Sequence, residues 1–145
     1  MREIEFRGKS QNSGRWVCGD LILQKYKSRQ GIHIYEKSNY GYQFVRVNKK
    51  TLGQYTGRTD KNGKKIFEGD IVDNNGTLGI VKWFNELVYD TYGSCHSGFY
   101  CYEWLLYGKE LNWHNGFDEC EVIGNIYDNP ELLTHQHEDK GESDE

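Results

Sequence analysis

The sequence predicts an all-β fold, and three observations carry that expectation. The 145 residues include 17 Gly and 14% aromatics but a single Pro, and they are poor in Ala, Leu and Met while rich in Tyr, Trp, Val and Ile. β-branched and aromatic side chains fit a pleated surface, and Gly serves the turns between short strands. Second, apolar and polar residues alternate with a period of two in segment after segment. Third, Asn-Gly and Ser-Gly pairs stand between those segments as tight-turn signals.

In chain order, "REIEF" sets Ile4 and Phe6 between charges, as in a half-buried strand. "GYQFVRV" places Gln43, Val45 and Val47 on one face and Tyr42, Phe44 and Arg46 on the other. "GDIVD", the turn signal "DNNGT" and "TLGIVKWF" form a hairpin, followed by the strand-like runs "GFYCYEWLL" and "EVIGNIY". Trp83, Phe84, Phe99, Tyr100, Tyr102 and Trp104 are expected to fill the core or pair across strands. The stretch between Asn85 and Gly98 lacks periodicity and reads as a long loop. In "DNPELL", Asp128 or Asn129 is placed as an N-cap and Pro130 at a first helical position, which predicts one short helical turn. The last twelve residues hold five acids, one Lys and no large apolar group, so residues 134–145 are expected to be a disordered acidic tail.

A Gly-Asp turn feeding a strand whose partner returns across a tight turn is common in small SH3-like barrels. The expected organisation is therefore an SH3-like barrel over 49–133 with an N-terminal β segment, 1–48, packed on it. Two stretches also resemble each other. Phe6, Gly8 and Gly14 align with Tyr55, Gly57 and Gly63 at an offset of 49, and Gly19-Asp20 with Gly69-Asp70 one residue later. The glycines supply positive φ in tight turns, and each Asp is expected to bond its own backbone, so the pair reads as a reused turn–strand device. Two copies are too few for a solenoid.

The segments "MREIEFRGK", "LGQYTGRTDKNGKKIFEGDIV", "GFYCYEW" and "EVIGNIYDNPELL" together resemble the YopX family of phage and prophage proteins, over nearly the whole chain up to Leu133. The resemblance implies a phage or prophage origin, an intracellular protein and an SH3-type barrel. It brings no enzymatic activity, cofactor or catalytic residue with it. The start of the chain lacks an apolar signal core, and no apolar run approaches the ~20 residues of a membrane span, so a cytoplasmic protein without membrane association is expected.

A net charge of −4 conceals a division. Residues 1–65 carry 15 Lys/Arg against 5 Asp/Glu, whereas residues 66–133 carry 2 against 12. Three readings follow. The basic half tracks a phosphate backbone through Arg46, Lys49, Lys50, Arg58, Lys61, Lys64 and Lys65, with aromatics such as Tyr26, Tyr40 and Tyr42 stacking on bases. Alternatively, the two halves neutralise one another and guide assembly. In the third, the surface is simply solvated, with edge lysines opposing aggregation. Tyr89 and Tyr92, in the long loop, are the candidate protein interface.

Catalytic chemistry finds little footing. Asp20 and Asp70 would make a nuclease-like metal site only if the two Gly-Asp steps faced each other. Cys95, His96, Cys101, His114 and Cys120 fit no common zinc spacing, and the four cysteines read as reduced thiols. Gly57, Gly63 and Lys64 miss the phosphate-loop spacing, and no G-x-S-x-G elbow occurs. Cys95 and His96, as neighbours, point apart, while His33 reads as an exposed strand residue and His114 as a turn residue. The expectation is a non-enzymatic module with no cofactor and no small-molecule substrate. Its function is to bind protein, by self-assembly or through a phage or host factor, with nucleic-acid binding through the basic half as the alternative and a metal-dependent nuclease as a distant third.

Overall fold

In the computed structural model, residues 3–24, 31–88, 99–107 and 119–138 are described. They form ten strands, a short 3₁₀ turn and one helix. The strands pair into two antiparallel sheets, as composition and alternation predict. The chain divides into two compact units. One comprises Met1–Thr59 and Lys65–Phe67, the other Asp60–Lys64 and Glu68–Glu145.

The first unit holds β1 (Phe6–Lys9), β2 (Trp16–Gln24), β3 (Gly31–Ser38), β4 (Gly41–Arg46), β5 (Gly53–Thr59) and β6 (Lys65–Phe67). Their order in the sheet is β4-β3-β2-β1-β5-β6. A bridge between Ser10 and Val47, with Gln11 N–H donating to Arg46 O and Asn48 N–H to Lys9 O, joins the end of β1 to the end of β4. Val17, Ile34 and Val47 are fully or almost fully buried there, with Phe6, Ile32, Val45 and Leu52 packed against them. Each such aliphatic contributes about 1.5–3 kcal/mol of burial. Between β4 and β5, Asn48 caps the 3₁₀ turn Lys49–Thr51 by accepting the Lys50 N–H.

The second unit holds β7 (Asp70–Asn74), β8 (Thr77–Val88), β9 (Phe99–Tyr107) and β10 (Glu121–Asn125), in the order β10-β7-β8-β9. Asn74 pairs with Thr77 across Asn75-Gly76, both at positive φ, as a two-residue hairpin loop requires. Ile71, Val72, Val81 and Cys120 are buried in this unit.

Residues 49–133, expected to form one SH3-like barrel, contribute strands to both sheets. β5 is drawn to the first by pairing with β1 (Phe6↔Gln54), a long-range register that no local pattern announces. The predicted helical turn is a helix, α1 (Glu131–Glu138), and it runs through residues 134–138, assigned to the tail by composition. Leu132 N–H donates to Asn129 O and Leu133 N–H to Pro130 O at the start of the helix, while the Asn129 Oδ1 accepts from Asn125 N, ahead of it. No helix among the described residues is long and apolar enough to cross a membrane.

Candidate nucleic-acid interface

Cross-strand partners share a face of a sheet. The register His33↔Arg46, Tyr35↔Phe44 and Lys37↔Tyr42 therefore places six side chains together on one side of β3–β4. The other side carries Ile34 and Val45 into the core. On the outer face Tyr35 lies between two rings. It stacks on Tyr42 at 4.8 Å with planes 12° apart, and meets Phe44 at 4.8 Å and 39°. Tyr42 is 59% exposed and Phe44 52%, while Tyr40, in the turn, is wholly exposed. Exposed rings grouped in this way make the face a candidate site.

Lys37 and Arg46 flank the rings and are exposed. Arg46 is held across the start of β3, because Gly31 has no Cβ there: one would stand 2.9 Å from the Arg46 Nε. His33 is half-buried, not the exposed strand residue expected, and its buried Nδ1 has no hydrogen-bond partner. Asp20, opposite Tyr35 on β2, is the acid on this face. Glu36 belongs to the other side, where Arg15 grips both its oxygens (2.9 and 3.0 Å) and Gln43 donates a third bond. The Arg15 hydrogen bond, joined by that of Gln43 and opposed by partial burial, holds Glu36 below the usual carboxylate range.

A second run of rings and cations follows across the sheet. Arg7 lies 4.7 Å over the Trp16 ring and 4.8 Å over Phe67, and Lys9 lies 5.5 Å over Trp16. Lys65 lies 5.1 Å over Tyr55, which itself packs on Phe67.

The family model described as "YopX protein" matches residues 5–134. The chain belongs to the YopX family. No curated protein matches it. Among solved structures, the crystal structure of protein EF1440 from Enterococcus faecalis is similar, with 19% identity and a TM-score of 0.50. That similarity covers 92% of this chain and 99% of the other, and it is a likeness of fold.

In this YopX-family chain the predicted basic residues are divided between the two units. Arg46, Lys49 and Lys50 are exposed cations at the end of β4 and in the 3₁₀ turn, and Arg58 is exposed on β5. Lys65 is tied to Glu3 at 2.8 Å and Glu5 at 2.6 Å, bonds that push its pKa well above the ordinary lysine value. Lys61 and Lys64 belong to the second unit, where Lys61 pairs with Glu121 at 3.5 Å. The charge division of the sequence persists along the structural units. The first holds 13 Lys/Arg against 4 Asp/Glu, net +9, and the second 5 against 18, net −13.

Tyr35, Phe44 and Lys37 escape a reading of the sequence as parts of a site. Alternation in "GYQFVRV" does separate Tyr42, Phe44 and Arg46 from Val45, but the partner strand's register supplies the rest. Tyr26 lies outside the described residues, as do Tyr89, Tyr92, Cys95, His96 and His114. Asp20 is an exposed mid-strand residue in one unit and Asp70 a buried one in the other. Only the Gly69-Asp70 step is a turn, with Gly69 at φ +88°, whereas Gly19-Asp20 continues β2. Among the described residues, no group of three or more His, Cys, Asp or Glu is placed to hold a metal ion. Burial, chiefly, with the nearby Glu5 charge, pushes the Cys18 thiol up, away from the thiolate a nucleophile needs.

Proposed function

We propose that this chain is a non-catalytic nucleic-acid-binding module that engages the phosphate backbone through its basic unit. The observation that carries this reading is the gathering of a net +9 into one structural unit, with Arg46, Lys49 and Lys50 exposed close together in the chain. Cations so placed release counterions from a phosphate backbone, and affinity then falls steeply as salt rises. We place this activity in the cytoplasm of a bacterial host, as the resemblance to phage and prophage proteins implies.

The test is fluorescence anisotropy of labelled DNA and RNA titrated with the full chain at low and moderate salt. Replacing Lys49 and Lys50 together by Glu should weaken binding. It should also flatten the dependence of log K on log salt by about 0.7–0.9 for each phosphate that is no longer neutralised. Flat titrations at low salt, where this attraction is strongest, would end the reading.

A second reading is assembly between copies, favoured by the opposite charge of the two units. It predicts a mass above 17.0 kDa by light scattering that falls to the monomer as salt rises.

A further inference from the structure

We propose that the outer face of the β3–β4 hairpin is a stacking platform for unpaired bases, so that the preferred ligand is single-stranded nucleic acid. This rests on the nucleic-acid reading and specifies its ligand. Phosphate attraction alone gives no preference for a single strand over the more densely charged duplex. Rings do, because a side chain on a strand stacks only on a base whose face is not already covered by its neighbours in a helix.

The geometry suits that task. Tyr42, Tyr35 and Phe44 form one row, with Tyr35 contacting both outer rings. Each outer ring is more than half exposed, and Tyr40 is fully so. Tyr42 and Phe44 are two residues apart on one strand, hence about 7 Å apart, a separation suited to successive bases of an extended chain. The rings are also pre-ordered by their mutual contacts, so little side-chain entropy remains to be lost on binding. Lys37 stands opposite Tyr42, and Arg46 two residues beyond Phe44, one cation toward each end of the row. A strand whose bases lie on the rings would thus meet a positive charge on either side. Asp20 on β2 bounds the platform, since a phosphate directed that way meets a carboxylate.

Charge complementarity selects this occupant. A hydrophobic peptide would use the rings and leave the cations unpaired, while an acidic peptide would use the cations and offer fewer planar faces. Among polyanions, single-stranded nucleic acid carries a planar ring with every charge.

The experiment is the same anisotropy titration with a single-stranded DNA, a single-stranded RNA and the matching DNA duplex. It compares the natural chain with Tyr42→Ala/Phe44→Ala and with Tyr42→Phe. The natural chain should prefer either single strand over the duplex. The double substitution should weaken single-strand binding by at least about fivefold per ring and leave duplex binding near its original value. Tyr42→Phe, which keeps the ring, should bind as the natural chain does. Equal affinity for duplex and single strand, insensitive to the rings yet steep in salt, would overturn the platform and leave the phosphate reading standing. No binding to any of the three at low salt would overturn both. Circular dichroism of the double variant tests its folding. Should that variant be unfolded, Lys37→Glu/Arg46→Glu leaves the rings in place and decides instead: unchanged single-strand preference and affinity would overturn the platform.

Discussion

The turn from Ser10 to Arg15 and the turn from Asp60 to Lys64 occupy corresponding places in the two similar stretches of the chain. In each, the first residue's N–H donates to the last residue's carbonyl at 2.8 Å. In each, a side-chain oxygen of a buried residue at the first position accepts amides from within the turn, and a glycine at positive φ (Gly14 at +71°, Gly63 at +81°) precedes the last residue. The oxygens differ. Ser10 Oγ accepts from Asn12 N at 3.3 Å and Ser13 N at 3.4 Å, long bonds to a neutral acceptor. Asp60 Oδ1 accepts from Asn62 N and Lys64 N at 2.9 Å each, and Oδ2 from Val122 N at 3.0 Å. One turn's acceptor serves only the turn itself, whereas the other's also anchors β10, 62 residues away. The side-chain acceptor is thus a local feature in one case and a tertiary one in the other.

The largest test of that difference is truncation. Asp60→Ala leaves three amides without their acceptor and is expected to cost about 3 kcal/mol or more, because bonds to a charged, buried acceptor are the strong ones. Ser10→Ala should cost only about 1 kcal/mol, the usual value for a side chain that caps local amides. Urea unfolding of both variants measures the gap. Equal losses would mean that the Val122 bond contributes nothing and that both side-chain acceptors act only within their turns.

Acid sharpens the contrast. Burial raises the Asp60 pKa, but the amides of Val122, Lys64 and Asn62, aided by the Lys64 charge, more than reverse this and hold it below the ordinary carboxylate value. A carboxylate whose pKa is depressed on folding gives stability that is fully present above its unfolded pKa of about 3.9 and is lost as pH falls through the lower folded value. Stability of the natural chain should therefore fall on acidification below about pH 4, and Asp60→Asn should remove part of that dependence. Ser10→Ala, which removes no titrating group, should leave the slope of stability against pH unchanged.

How far the sequence discloses these features differs between the two turns. The paired glycines are legible because positive φ is a local demand that few residues meet, and Gly14 and Gly63 both show it. The outward row of Tyr42, Phe44 and Arg46 is half legible: alternation groups them, but both faces of β4 carry large apolar residues, so the pattern alone does not say which is wet. Asp60 does not stand out beside Asp20 and Asp70, which share a repeated dipeptide. Its importance comes from Val122, a pairing across the chain that composition and spacing do not encode. The Gly-Asp match misleads for a related reason. Identical dipeptides adopt the conformation of their strand partners, and Tyr35 keeps Asp20 extended within β2.

The smallest effect isolates the glycines themselves. A Cβ at Gly14 or at Gly63 would meet no atom within 4 Å, so substitution at either is opposed by backbone conformation alone. Gly14→Ala and Gly63→Ala should each cost about 1–2 kcal/mol, and by nearly equal amounts despite their different surroundings. Asn tolerates positive φ better than Ala, since its short polar side chain bonds local backbone, so Gly14→Asn and Gly63→Asn should cost a fraction of that. Urea midpoints of the four variants give the comparison. Were Gly63 much the more sensitive, strain at that turn would be coupled to the Asp60–Val122 anchor, and the two turns would differ in their backbone as well as in their acceptors.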